Sequence, residues 1–183
     1  MTEEEFKTEV YDKYIDVPPG SCAWAIFDKV SASGAQSTDE NYAGFVALTS
    51  TSVENAVTEI GVFVFPAFHR THVASNAIGL VLLWTLDPPS ADGLGLRRVE
   101  WQCHTENAAS RRAALRMGFE FEGVKRWHCV LPGDKVGLPA DALGNRNGTK
   151  KEPLGRHTAL FSIVWEEWDE KRPKVVALME RQS

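Results

Sequence analysis

The chain has 183 residues, 43% hydrophobic and 25% charged, and a formal net charge of −5. That is about one domain with enough apolar material for a core, and its acidic balance argues against nucleic acid as a main partner, because phosphate binding wants a basic face. Cys22, Cys103 and Cys129 are odd in number and widely spaced, which is no disulfide framework, and no apolar run approaches the roughly 20 residues that cross a bilayer.

The chain opens on Met1-Thr2-Glu3-Glu4-Glu5, which is acidic and unlike a signal peptide. We therefore expect a cytoplasmic protein with reduced thiols and no membrane partner, and read the sequon Asn147-Gly148-Thr149 as a turn. Residues 2–14 have the spacing of a short amphipathic helix, with Phe6, Val10 and Tyr14 on one face. Pro18-Pro19-Gly20 ends it. Cys22 to Val30 reads as a strand, Ser31 to Asn41 as a polar turn, and Gly44 to Thr49 as a second strand paired to the first as a hairpin. Thr58 to Phe65 is a third strand.

From Val73 to Leu86 the period becomes helical, with Val73, Ala77, Val81 and Trp84 on one face. Gly79 lowers helix propensity there by about 1 kcal/mol, and close packing of helix on sheet would explain it. Leu96 to Cys103 alternates again, Val99, Trp101 and Cys103 opposing Arg98, Glu100 and Gln102. Asn107 to Arg116 is a second helix stopped at Gly118, Phe119 to Val130 one or two strands, and 131–156 a long Gly- and Pro-rich loop. His157 to Trp165 is a last strand, and Pro173 to Arg181 a short final helix with proline at its start. The order implies one mixed α/β domain over 1–183, with an antiparallel beginning and a strand–helix–strand crossover in the middle.

Chemistry has two candidate places. Phe65 to Asn76 runs from a strand through a tight loop into a helix, where unpaired N–H groups and a partial positive charge suit a pyrophosphate. Arg70, Thr71 and Ser75 add a charge and hydroxyls; alternatively the loop is a plain connection with a Ser/Thr cap. Arg98 to Arg112 runs from a strand into the next helix, with Asn107 at the start of that helix.

Together these stretches resemble the GNAT N-acetyltransferases, in particular the RimJ/RimL-like branch. The match runs from Glu59-Ile60-Gly61-Val62-Phe63-Val64-Phe65-Pro66, through the loop and helix, to Glu106-Asn107-Ala108-Ala109-Ser110 and Gly118-Phe119-Glu120-Phe121-Glu122-Gly123. The resemblance implies a mostly antiparallel twisted sheet with flanking helices and a splayed cleft for acetyl-CoA. In the family the strand Val62, Phe63 and Val64 bonds the pantetheine arm through its backbone. The loop Arg70, Thr71, His72, Val73, Ala74 and Ser75 takes the pyrophosphate, Asn107 contacts the coenzyme, and Ser110 lies one turn on. His72 stands where the family has glycine, so it either weakens phosphate binding or touches phosphate directly. The family's opening strand and first helix are not matched; the edge so left would be covered by a second copy, giving a homo-oligomer, or leave the domain marginally stable.

Glu59 is the candidate catalytic residue, a base acting through water, or else a satisfied polar group at a strand start; His104 is the second choice. A family tyrosine acid, four residues before the Gly-Phe pair, is replaced by Ala114. His69 and His72, with Cys103-His104 and His128-Cys129, do not have zinc-ligand spacing, so no metal is expected. Trp84, Trp101, Trp127, Trp165 and Trp168 are expected in the core, with no basic stripe to make them a base-stacking platform. The expected activity is transfer of acetyl from acetyl-CoA to a primary amine of a small molecule or protein N-terminus. The alternative is a catalytically weak acyl-CoA-binding or protein-interaction module.

Overall fold

The computed structural model describes residues 20–29, 41–130 and 155–181, with Glu4, Lys7, Thr8 and Asp12 as isolated positions. Most of the expected helix at 2–14, including Phe6, Val10 and Tyr14, and residues 131–154 of the expected loop lie outside the described residues.

The first strand, β1 (Cys22–Phe27), pairs antiparallel with β2 (Tyr42–Ser52), and β2 with β3 (Val57–Val64). Helix α1 (Val73–Leu86) then crosses to β4 (Arg98–His104), which lies parallel to β3. After α2 (Ala108–Arg116) come β5 (Glu120–Val130) and β6 (Gly155–Val164), and then α3 (Trp165–Met179). Among the described residues the strands form one sheet in the order β1-β2-β3-β4-β6-β5, antiparallel except at β3–β4. Gly155 and Arg156, assigned above to the loop, already belong to β6.

Alternation works as expected in β4. Val99, Trp101 and Cys103 are buried under the helices with Val46, Leu48, Ile60, Phe161 and Ile163. Arg98, Glu100 and Gln102 occupy the other face, where the Arg98 guanidinium pairs with Glu100 and Glu122. The Ser162 hydroxyl donates to Glu122 at 2.8 Å.

Two expectations about helices need correction. Gly79 is explained by α3 and not by the sheet: a Cβ there would come within 2.3 Å of Met179 Sδ. The final helix starts at Trp165, eight residues before Pro173, which sits in its interior. An interior proline removes a hydrogen bond and costs about 3 kcal/mol. Packing outweighs that cost. Trp168 is buried, its Nε1 donates to Asp87 Oδ1 at 2.7 Å, and Arg172 donates twice to the Asp87 carboxylate at 2.9 Å. Burial pushes the Asp87 carboxyl up, but Arg172 and Trp168 outweigh it and hold the group below its usual range. Of the five tryptophans expected inside, only Trp101 and Trp168 are buried; Trp84, Trp127 and Trp165 are at least 39% exposed.

Candidate active site

Strands β3 and β4 share only three register pairs: Val57 with Arg98, Thr58 with Val99, and Glu59 with Glu100. Beyond that point they part. From Ile60 to Val64, β3 is paired on its β2 side but has no strand on the other, so its outward backbone groups, the Val64 carbonyl excepted, are left without a strand partner. The opening is a cleft of about 1040 Å³.

Val62, Phe63 and Val64 form one wall. Arg70, Thr71, His72, Ala74 and Ser75 form the end nearest α1, and Asn107 and Ser110 stand across from them at the start of α2. The structure thus brings together every coenzyme-binding residue expected from sequence except Val73. That side chain is turned to a second cavity of about 640 Å³ along β1 and the other flank of α1.

The loop is shaped by local hydrogen bonds. Pro66–Phe68 makes one 3-10 turn, and Arg70 follows in the left-handed region with φ +64°. The Thr71 hydroxyl donates to the Phe68 carbonyl at 2.8 Å and accepts from the Val73 N–H at 3.3 Å, so it holds the first N–H of α1, while His72 at the cap position itself makes no side-chain capping bond. His69 Nε2 lies 2.9 Å from the Val64 carbonyl and ties loop to strand. The N–H groups of Ala74 and Ser75 find no acceptor among the described residues, leaving two donors at the positive end of a helix dipole. His72 does not fill this space with its ring: Nε2 is drawn to the buried Asp28 carboxylate, 3.2 Å away at the end of β1.

On the α2 side, Asn107 is indeed a helix cap, its Oδ1 accepting from the Ser110 N–H at 3.0 Å. Its side-chain NH₂ has no acceptor among the described residues, and the residue lines the cleft. Ser110 Oγ accepts from Trp101 Nε1 at 2.9 Å, which locks the cleft floor to the core.

Charge distinguishes this cleft from the rest of the molecule. Among the described residues Arg70, Arg112, Arg116 and Arg181 line it and no Asp or Glu does, in a protein of net charge −5. Sequence analysis missed Arg112, Arg116 and Arg181. The signal available was the four-residue spacing of Arg112 and Arg116 on the helix that Asn107 opens.

Glu59 lies outside the cleft wall, at its apex, in the last register pair before the strands separate. Gln102 Nε2 donates to its Oε2 at 3.1 Å. Burial, reinforced by the neighbouring Glu100 carboxylate, pushes Glu59 up to about 7. His104 is committed differently: Nδ1 accepts from the Glu106 N–H at 2.9 Å, and burial followed by Arg156 lowers its pKa, so it is a neutral ring near neutral pH. Ala114 is fully buried in the core, so that position carries no acid. Among the described residues no group of three or more metal-ligating side chains is assembled, and no helix is long and apolar enough to cross a membrane.

A family model described as an acetyltransferase (GNAT) domain matches residues 1–120. A GCN5-related N-acetyltransferase from Brucella melitensis is 32% identical over 97% of this chain and 65% of its own, with a TM-score of 0.71. The chain therefore spans a little under two thirds of that relative's length. RimJ from Mycobacterium smegmatis, solved in complex with CoA-disulfide, is 19% identical over 74% of this chain and 54% of its own (TM-score 0.54). A variant of spermidine N-acetyltransferase SpeG from Vibrio cholerae is 13% identical over 90% of this chain and 74% of its own (TM-score 0.58). The last two share the fold. No curated protein matches the chain.

Proposed function

Because this chain belongs to the GNAT acetyltransferase family, we propose that it binds acetyl-CoA in the β3–β4 cleft and transfers the acetyl group to a primary amine. The observation that carries the reading is the cleft's donor set. Among the described residues, arginines without a carboxylate beside them, two N–H groups without an acceptor at the start of α1 and an unpaired strand edge together fit a long ligand that is polyanionic at one end and amide-bearing at the other.

The unpaired edge at Val62–Val64 takes the amides of the pantetheine arm. Arg70, with the N–H groups of Ala74 and Ser75, holds the pyrophosphate, and Asn107 donates from its free NH₂ while Ser110 frames the same wall. Acetyl-CoA, when bound, supplies an electrophilic thioester carbonyl. The acceptor must react as a neutral amine, and Glu59 at the apex is the group to take the ammonium proton, through an intervening water; the amine nitrogen then bonds to the acetyl carbon as the thioester C–S bond breaks, and the coenzyme leaves as a thiolate that takes up a proton from solvent. A carboxyl raised to about 7 is suited to that task at neutral pH, being partly ionised yet basic. The acceptor is a small molecule or a protein N-terminus, and the protein is cytoplasmic.

Ala114 is the feature that favours the second reading, an acyl-CoA-binding module without turnover, since the position where the family has a tyrosine acid is a buried alanine. Calorimetry with acetyl-CoA, followed by thiol release in the presence of small amines and N-terminal peptides, tests both. Saturable heat with amine-dependent thiol release is expected. Heat without release would establish the binding module, and no heat at millimolar acetyl-CoA would overturn both readings.

A further inference from the structure

Glu59 stands on the sheet face opposite the helices. Its register partner Glu100 and its hydrogen-bond partner Gln102 belong to the side of β4 that turns away from the core. The coenzyme cleft opens among α1 and α2, on the helix-covered face. An acceptor therefore reaches the apex from the other face, and the side chains around Glu59 there bear on what that acceptor is.

Alternation carries this face on to His104 and across the ladder to β6. Gln102 lies opposite Leu160 and His104 opposite Thr158, so Arg156, two residues further along β6, belongs to the same side. Two buried polar atoms on it have no hydrogen-bond partner: His104 Nε2 and Arg156 Nε. Both are donors. The Glu106 N–H bonds to His104 Nδ1, so the proton of the neutral ring is on Nε2, and a guanidinium N–H can only donate. Buried donors are nearly always paired, and two orphans on one face call for a shared acceptor.

That acceptor is not a carboxylate of the protein. Among the described residues Arg156 forms no ion pair, while Glu100 and Glu122 are both held by Arg98. Glu59 and His104 both feel the charge of Arg156, yet no ion pair joins Arg156 to Glu59. A space bounded by an uncommitted carboxyl on one side and an uncommitted guanidinium on the other suits a ligand that carries both charges, its amine toward Glu59 and its anion toward Arg156. One guanidinium fork and one neutral N–H match a planar, singly charged carboxylate better than a phosphate dianion.

Resting on the acetyl-transfer reading above, we infer that His104 and Arg156 form a carboxylate subsite beside Glu59, and that the acceptor is an amine carrying a carboxylate, in place of a plain alkylamine or polyamine. A free amino acid presents such a carboxylate, and so does a peptide whose first residue is Asp or Glu.

Calorimetry on the full chain saturated with coenzyme A, which fills the cleft without transferring, tests this. The ligand pairs are phenylalanine with phenylethylamine, leucine with isopentylamine, and peptide amides that begin with Glu or with Gln. The carboxylate-bearing member of a pair should bind about tenfold to a hundredfold more tightly, the range for charged hydrogen bonds. With acetyl-CoA it should also be acetylated with the higher kcat/KM. In Arg156→Gln the ratio within each pair should fall toward one, with coenzyme A affinity unchanged as the sign of an intact fold. Arg156→Lys keeps the charge without the fork and should keep part of the preference. A preference confined to the free amino acids would make the acceptor a small molecule; one confined to the peptides would make it an acidic N-terminus. Equal binding within every pair, or binding of neither member at millimolar concentration, would overturn the subsite, and acetylation of the plain amines would then still stand as the activity. A preference that survives Arg156→Gln would place the carboxylate elsewhere and sink the inference. Carboxylate-dependent binding without thiol release from acetyl-CoA would uphold the subsite and overturn the transfer reading. Failure of coenzyme A itself to bind would overturn the coenzyme reading and this inference with it.

Discussion

Arg172 and Arg112 are both arginines on helices, yet they are in opposite situations. Arg172 closes on Asp87 with two hydrogen bonds and binds α3 to the end of α1. Arg112 faces an open cleft and another arginine. A charge that has its partner inside the fold is committed to stability; a charge held without one, beside a like charge, is available to a ligand. Glu59 falls between these cases, half-buried and, among the described residues, with only the neutral Gln102 side chain donating to it. The contrast predicts that substitutions at the clamp move stability, that substitutions in the cleft move binding, and that Glu59 moves turnover.

The largest effect is expected at Glu59. Glu59→Gln keeps the shape and the contact with Gln102 but removes the base. It should lower kcat/KM by about 10²- to 10⁴-fold, the usual contribution of a positioned base, with coenzyme affinity unchanged. In the unmodified protein kcat/KM should rise with pH through about 7 as the carboxyl ionises. Steady-state rates against pH, alongside calorimetry, check both, and a flat profile with full activity in Glu59→Gln would leave Glu59 a structural residue.

Next comes the clamp. Asp87→Ala strands Trp168 Nε1 and Arg172, and should destabilise the fold by about 2–4 kcal/mol. Arg172 is half exposed, so water takes up part of the loss. Denaturant unfolding measures it. An effect under 1 kcal/mol would mean that the α1–α3 contact rests on apolar packing around Gly79 and Met179 alone.

Sequence was informative where one local rule decided the outcome. Val73–Leu86 begins and ends where periodicity places it, because Pro88-Pro89 follows and no competing signal intervenes. Val99, Trp101 and Cys103 alternate as read. That Val62–Val64, the Arg70–Ser75 loop and Asn107 border one cleft was legible through the order of their elements. What escaped was tertiary. Pro173 marks a helix start in most sequences, but here a partner 85 residues away, Asp87, holds the helix together through it. Trp127 and Trp165 are hydrophobic by type, and hydrophobicity alone does not say which face of an element is covered. Arg116 and Arg181 are distant in sequence, so that they line one cleft is knowable only once α2 and α3 are placed.

A smaller stability effect belongs to Glu59 again. Its folded pKa, about 7, lies above its ordinary value, so its neutral form is the one the fold favours. The associated stability is complete below about pH 4.5 and is lost as pH rises through about 7. Glu59→Gln escapes that loss. Relative to the unmodified protein it should gain about 1–3 kcal/mol between pH 5 and pH 8. Parallel denaturation curves at those two pH values are the measurement. A constant difference between the two proteins would show that the carboxyl is not titrating from the folded state.

The smallest effect tests the contrast most directly, because it has the unusual sign. Glutamine has nearly the helix propensity of arginine, so Arg112→Gln leaves the intrinsic preference of α2 alone. It removes a like-charge neighbour of Arg116 at four-residue spacing, which is worth about 0.2–0.5 kcal/mol. Without ligand, Arg112→Gln should therefore be slightly more stable than the unmodified protein, by roughly 1 °C in Tm for a chain of this size. With saturating coenzyme A the order should reverse, since the ligand now stabilises the unmodified protein more. Melts with and without coenzyme, at low salt where surface charge is least screened, read both signs in one experiment. A destabilised variant without ligand would mean that Arg112 has a structural partner after all, and the division between committed and available charge would not hold at α2.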